Sequence, residues 1–215
     1  MRFAFSIALV IGFVSIAALA EDQPARVEHS KPLPPHGESL GTKAYEPTPA
    51  EKAASKDWKE AELNSGSMGS ETLQGPIGRR VAWFGIVRDV AEDDEKHETR
   101  LLVEMKFFDG LTDIHQQIVS IFGLGDFRAT IPGTGHKIKK LALVRVLGKV
   151  TGEEKGLPVV SAEFVRCWDW GLFAFMDYGT DKSNAEWVKL RTVDPNDSYS
   201  SDPGPMYYEK LLGKR

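Results

Sequence analysis

Apolar and polar residues alternate with a period of two through much of the second half of the chain, which predicts strands. The run "RRVAWFGIVRDV" (79–90) is rich in β-branched and aromatic residues and reads as a first strand. A polar loop, "AEDDEKHE" (91–98), leads to "TRLLVEMKFF" (99–108), which ends at the turn signal Asp109-Gly110. "HQQIVSIFGL" (115–124) predicts a third strand, extended by "DFRATIP" (126–132) beyond a bend or bulge at Gly123 and Gly125. After a loop over 132–140, "LALVRVLGKVTG" and "LPVVSAEFVRCWDW" form a closing hairpin and complete five strands. Gly85 and Gly148 sit mid-strand with valines on the same parity, where strands of a small barrel must bend or another backbone must approach. The expected fold is mainly β, a small five-stranded Greek-key barrel.

Parity assigns the faces. Val144, Val146, Gly148 and Val150 are expected inward, facing Val160, Ala162, Phe164 and Trp168, with Trp168 plugging one barrel end. Val81, Trp83 and Val87 are inward on the first strand. Phe84 and Ile86 then point outward and need a cover. The expected covers are a helix carrying Trp58 or the C-terminal segment "PMYYEKLLG" (205–213), whose Tyr207/Leu211 and Tyr208/Leu212 have helical spacing.

The first half is different. Residues 1–20 combine Arg2, a continuous apolar run and an Ala18-Leu19-Ala20 end, the pattern of a secretory signal cleaved after Ala20. Residues 21–76 read as a Pro-rich linker. Within it Thr48 and Glu51 have capping-box spacing, with Pro49 at the first helical position, and predict a helix near 49–62. Such a linker is expected to be dispensable for folding. The barrel is expected over 77–180, with a partly ordered C-terminal extension, 181–215, packing on it.

Composition narrows the chemistry. The formal charge of −4 in 215 residues argues against a phosphate-binding protein. One cysteine, Cys167, excludes an internal disulfide framework and reads as a buried small hydrophobe. Glu21 stands after the signal, where a lipid-anchored protein needs cysteine, so no lipid anchor is expected there.

The strand order, with "VRVLGKVTG…LPVVSAEFVRCWDWG" as its last hairpin, resembles an OB-fold. Among exported OB-fold families it is similar to the bacterial Slp-type outer-membrane (lipo)proteins, over residues 78–171. The resemblance implies a place in the cell envelope and no catalytic residues.

No catalytic motif or phosphate-cradling glycine loop is present. No cofactor and no metal are expected. The acidic run 92–98 reads as a hydrated hairpin loop, the "DPNDSYSSD" stretch (194–202) lacks the central Gly and closing Glu of an EF-hand, and the five histidines show no ligand spacing. The leading reading is an exported, non-catalytic envelope protein that binds another envelope protein or component. The alternative is a small-ligand or glycan module using a barrel mouth around Phe107, Phe127, Arg128, Arg166 and Trp168. Arg88, Arg100, Arg128 and Arg166 interleaved with Phe107, Phe108 and Phe127 could also serve single-stranded nucleic acid, a use the acidic charge argues against.

Overall fold

The structure, a computed structural model, describes residues 26–30, 45–66, 73, 77–111, 117–120, 123–169, 172–176 and 192–193. The signal sequence, the "PMYYEKLLG" segment and the 194–202 stretch lie outside the described residues.

The chain is mainly β. Its strands are β1 (Arg26–His29), β2 (Arg80–Asp93), β3 (Glu98–Met105), β4 (Phe108–Leu111), β5 (Gln117–Ser120), β6 (Gly125–Pro132), β7 (Leu143–Glu154), β8 (Leu157–Trp168), β9 (Phe173–Met176) and β10 (Thr192–Val193). Two short helices, α1 (Pro49–Ala54) and α2 (Glu60–Leu63), lie between β1 and β2. Five strands close into a barrel. β2 pairs antiparallel with β3, β3 with β6, β8 with β7 and β7 with β2, and the parallel pair β6–β8 completes the ring. The β7–β8 hairpin turns through Lys155 and Gly156, both at positive φ, 54° and 77°, as a two-residue turn between twisted strands requires. Gly148 is dictated by close approach. A Cβ there would strike the Ser161 carbonyl oxygen and come within 2.8 Å of Val160 Cγ1.

The predicted third strand divides in two. Gln117–Ser120 leaves the barrel and joins a second sheet of order β10-β9-β5-β4, while Gly125–Pro132 alone is the third barrel strand. The glycines read as a bend inside one strand mark the boundary between two sheets. A Cβ at Gly123 would collide with the Met105 carbonyl oxygen.

The predicted parity of β8 also needs correction. Leu147 pairs with Phe164 and Gly148 with Ala162, so Glu163 is the extra residue of a bulge. One inserted residue turns every later side chain to the opposite face. Val160 and Ala162 face the barrel core, as do Val165 and Cys167, whereas Phe164 and Trp168 face out. Trp168 does not plug the barrel.

Three apolar clusters result. The first fills the barrel, with Val81, Trp83, Val87, Phe127 and Val146 among its members. The second lies outside the wall, where Phe84 and Ile86 meet Val119, Phe173, Leu143 and Trp168, with Tyr45 and Phe108 against them. The cover for Phe84 and Ile86 is thus the second sheet together with Tyr45. The Trp58 segment covers a neighbouring patch of Ala82, Leu147 and Phe164.

The described runs of the stretch read as a linker, 26–30 and 45–66, pack on the barrel wall. β1 adds a parallel strand along Phe164–Cys167 of β8. Thr48 caps α1 by accepting from the Glu51 amide at 3.2 Å. Glu51 does not return to the Thr48 backbone as a capping box would. Its carboxylate bonds Arg145 at 2.5 Å and accepts from the Tyr45 hydroxyl. A single helix over 49–62 is not formed. The Ser55 hydroxyl donates to the Glu51 carbonyl at 2.8 Å, and the chain leaves the helix there.

Candidate functional site

The residues expected around a barrel mouth fall into three environments. Phe127 is fully buried in the barrel, with its ring 5.2 Å from that of Trp83 in an edge-on contact. Phe107 is buried in the same cluster. Trp168 is buried in the second cluster, outside the wall, stacked at 6.2 Å on Phe84. Arg166 lies over the Trp168 ring at 5.2 Å and donates from Nε to Ser30 Oγ at 2.8 Å. Arg128 stands on the outer face of β6, with Nε 3.8 Å from a Glu154 carboxylate oxygen. Only Arg166 and Trp168 touch in the manner of a site, and their contact packs the wall. Phe108 stacks on Phe84 at 4.5 Å, so the aromatics that nucleic acid would need are committed to packing.

The wall has a covered half and an open half. β2 is buried continuously from Val81 to Val87 and β7 from Leu143 to Gly148, because both faces of each strand are packed. β3, and β6 from Asp126 on, alternate between buried and part-exposed positions, so among the described residues their outer face is part-exposed. Leu102 stands opposite Arg128 on this face, and Glu104 opposite Asp126. Arg88 pairs with Asp126 at 2.7 Å, Lys106 with Glu104 at 2.8 Å, and Arg100 with Glu98 at 2.6 Å. Burial raises the Asp126 carboxyl above its ordinary range despite the attraction of Arg88. Two buried polar atoms here, Glu104 Oε2 and Arg128 Nε, make no hydrogen bond.

A further cluster joins residues far apart in sequence. The parallel register of β1 on β8 places His29 beside Cys167. Asp169 follows on the same side, and the donor atoms of His29, Cys167 and Asp169 all lie within 4.8 Å of one another. Burial, reinforced by the Asp169 carboxylate, pushes the Cys167 thiol up to about 12. The protonated thiol is a poor nucleophile. The cluster escaped sequence reasoning because His29 belongs to no spaced motif and Cys167 shares none with it. The run "RVEH", with the β-branched Val27 between the charged Arg26 and Glu28, was the available signal for a strand.

No protein-family profile matches the chain, and no curated protein is significantly similar to it.

Proposed function

We propose that the chain is an exported, non-catalytic protein of the bacterial cell envelope, built on an OB-type barrel of the Slp kind. In this reading it binds another envelope component through the outer face of β3 and β6. The strand order supports the OB-type reading. Three antiparallel strands are followed by a parallel pairing of the third and fifth, and the fourth returns beside the first. In barrels of that type the second and third strands carry the ligand face. Here those strands are β3 and β6, whose outer face is part-exposed and carries no other described element. The observation that carries the proposal is the part-exposed Leu102 on this face, set between Arg128 and Glu104, which pair with Glu154 and Lys106 yet each keep one buried atom, Nε and Oε2, with no hydrogen bond. A buried polar atom that makes no hydrogen bond is costly, and a polar partner surface could supply one. An apolar centre ringed by charges is also the usual composition of a non-obligate interface.

Capture of envelope components by the mature protein, with mass spectrometry of proteins, lipids and glycans, tests this. Arg128→Glu is expected to lower capture of the specific component at least about tenfold, a loss of about 1.4 kcal/mol. Circular dichroism must first show the variant folded at the assay temperature, because Arg128 is only part-exposed and the substitution sets a second carboxylate beside Glu154. Undiminished capture by Arg128→Glu would remove this face as the interface. For the exported state, N-terminal sequencing is expected to begin at Glu21; a membrane-bound form that retains Met1 would contradict cleavage.

A further inference from the structure

We infer that His29, Cys167 and Asp169 form a binding site for one borderline-soft divalent cation of the Zn2+ class. Three different donors converge there: an imidazole nitrogen, a sulfur and a carboxylate oxygen, mutually within 4.8 Å. Zinc bonds of about 2.0–2.3 Å in a tetrahedron set donors about 3.3–3.8 Å apart, so closure needs a contraction of about 1 Å. His29 is exposed and on a short added strand, and can supply that movement. The sulfur selects the metal. Mg2+ and Ca2+ take oxygen ligands, while thiolate with imidazole suits Zn2+ and its thiophilic neighbours. Three protein ligands leave a fourth position open.

A second observation points to the same use. His29 Nε2 lies 2.8 Å from the carbonyl oxygen of His136. A carbonyl can only accept, so Nε2 is the donor in this contact, which leaves Nδ1 as the ring atom that would take the metal. A backbone carbonyl bonded to the nitrogen that does not take the metal is the usual outer support of a metal-binding histidine. His136 is itself held, its ring bonded to the Pro132 carbonyl at 2.9 Å. The bound ion would clasp β1 to the end of β8, closing a loop that spans most of the barrel sequence.

The test uses Co2+ as the probe, with the mature chain made without a polyhistidine tag. The expected result is one Co2+ per chain, a near-ultraviolet sulfur-to-cobalt charge-transfer band, and displacement by Zn2+ but not by Mg2+. Cys167→Ser should abolish the band. Because Cys167 is buried, His29→Ala provides the second variant, on an exposed ring outside the core. It should weaken Co2+ binding at least about tenfold, the scale on which even supporting groups of metal sites act. The inference is overturned if saturating Co2+ gives no charge-transfer band, or if His29→Ala binds Co2+ as tightly as the parent.

Discussion

Replacing Arg145 with Met is expected to destabilise the protein by about 3–5 kcal/mol, the usual result of removing one partner from a buried ion pair. The Arg145 and Glu51 side chains are 7% and 1% exposed, and their atoms meet at 2.5 Å. Arg145 also donates to the Leu63 carbonyl at 2.9 Å and lies 5.0 Å from the ring centres of both Tyr45 and Phe84. Removing it strands the Glu51 carboxylate in a site closed to water. Burial already raises the Tyr45 hydroxyl far above its ordinary range, so that group stays a neutral donor to Glu51 throughout the physiological range and cannot replace the lost cation. Adding Glu51→Leu to Arg145→Met should recover much of the loss, because an apolar pair leaves no uncompensated charge. Urea denaturation of the two variants measures this. A single variant within about 1 kcal/mol of the parent would mean that the pair behaves as an exposed surface ion pair.

The same contact changes the standing of the N-terminal extension. A chain begun near residue 76 loses Glu51 and Tyr45, along with the Trp58 segment that covers Ala82, Leu147 and Phe164. It also loses β1, whose Glu28 accepts from Thr48 Oγ1 at 2.8 Å and ties the added strand to α1. The described part of the extension is therefore packed into the folded unit. Its composition disguised this, since prolines and small polar residues are also what a linker carries.

Where alternation was long and uninterrupted, faces were legible. Val81, Trp83 and Val87 point inward as their parity requires, as do Val144, Val146 and Val150. The misplacement of Phe84 and Ile86 on an outer face correctly signalled a missing cover. What covers them was not legible, because Val119 and Phe173 belong to short apolar strands that resemble barrel strands until the pairing is known. Glu163 shows the second limit. A bulge is set by the partner strand's register, and no property of "SAEFVRCW" alone marks the extra residue. Glu51 shows the third. Its spacing from Thr48 already had a sufficient local explanation, which concealed its long-range role. The candidate metal ligands were hidden by distance along the chain, since the parallel pairing of β1 with β8 is what joins them.

Trp168→Ala is expected to cost about 3–5 kcal/mol, the range for deleting a buried tryptophan. Trp168 is 4% exposed, stacks on Phe84 at 6.2 Å, and approaches Tyr45 at 6.3 Å. A stability loss alone would not separate an outer-wall residue from a barrel plug, so the coupling partner decides. Trp168 and Phe84 share the second cluster, and aromatic pairs are worth about 0.5–1.5 kcal/mol beyond buried area. A double-mutant cycle of Trp168→Ala with Phe84→Ala should therefore show an interaction energy in that range. Ile131 belongs to the barrel core. The cycle of Trp168→Ala with Ile131→Val should be additive within about 0.3–0.5 kcal/mol, as for sites without shared partners. Strong coupling to Ile131 and none to Phe84 would return Trp168 to the barrel end and remove the bulge at Glu163. Additivity at Ile131 with coupling at Phe84 places the tryptophan where the register does, between the barrel wall and the second sheet.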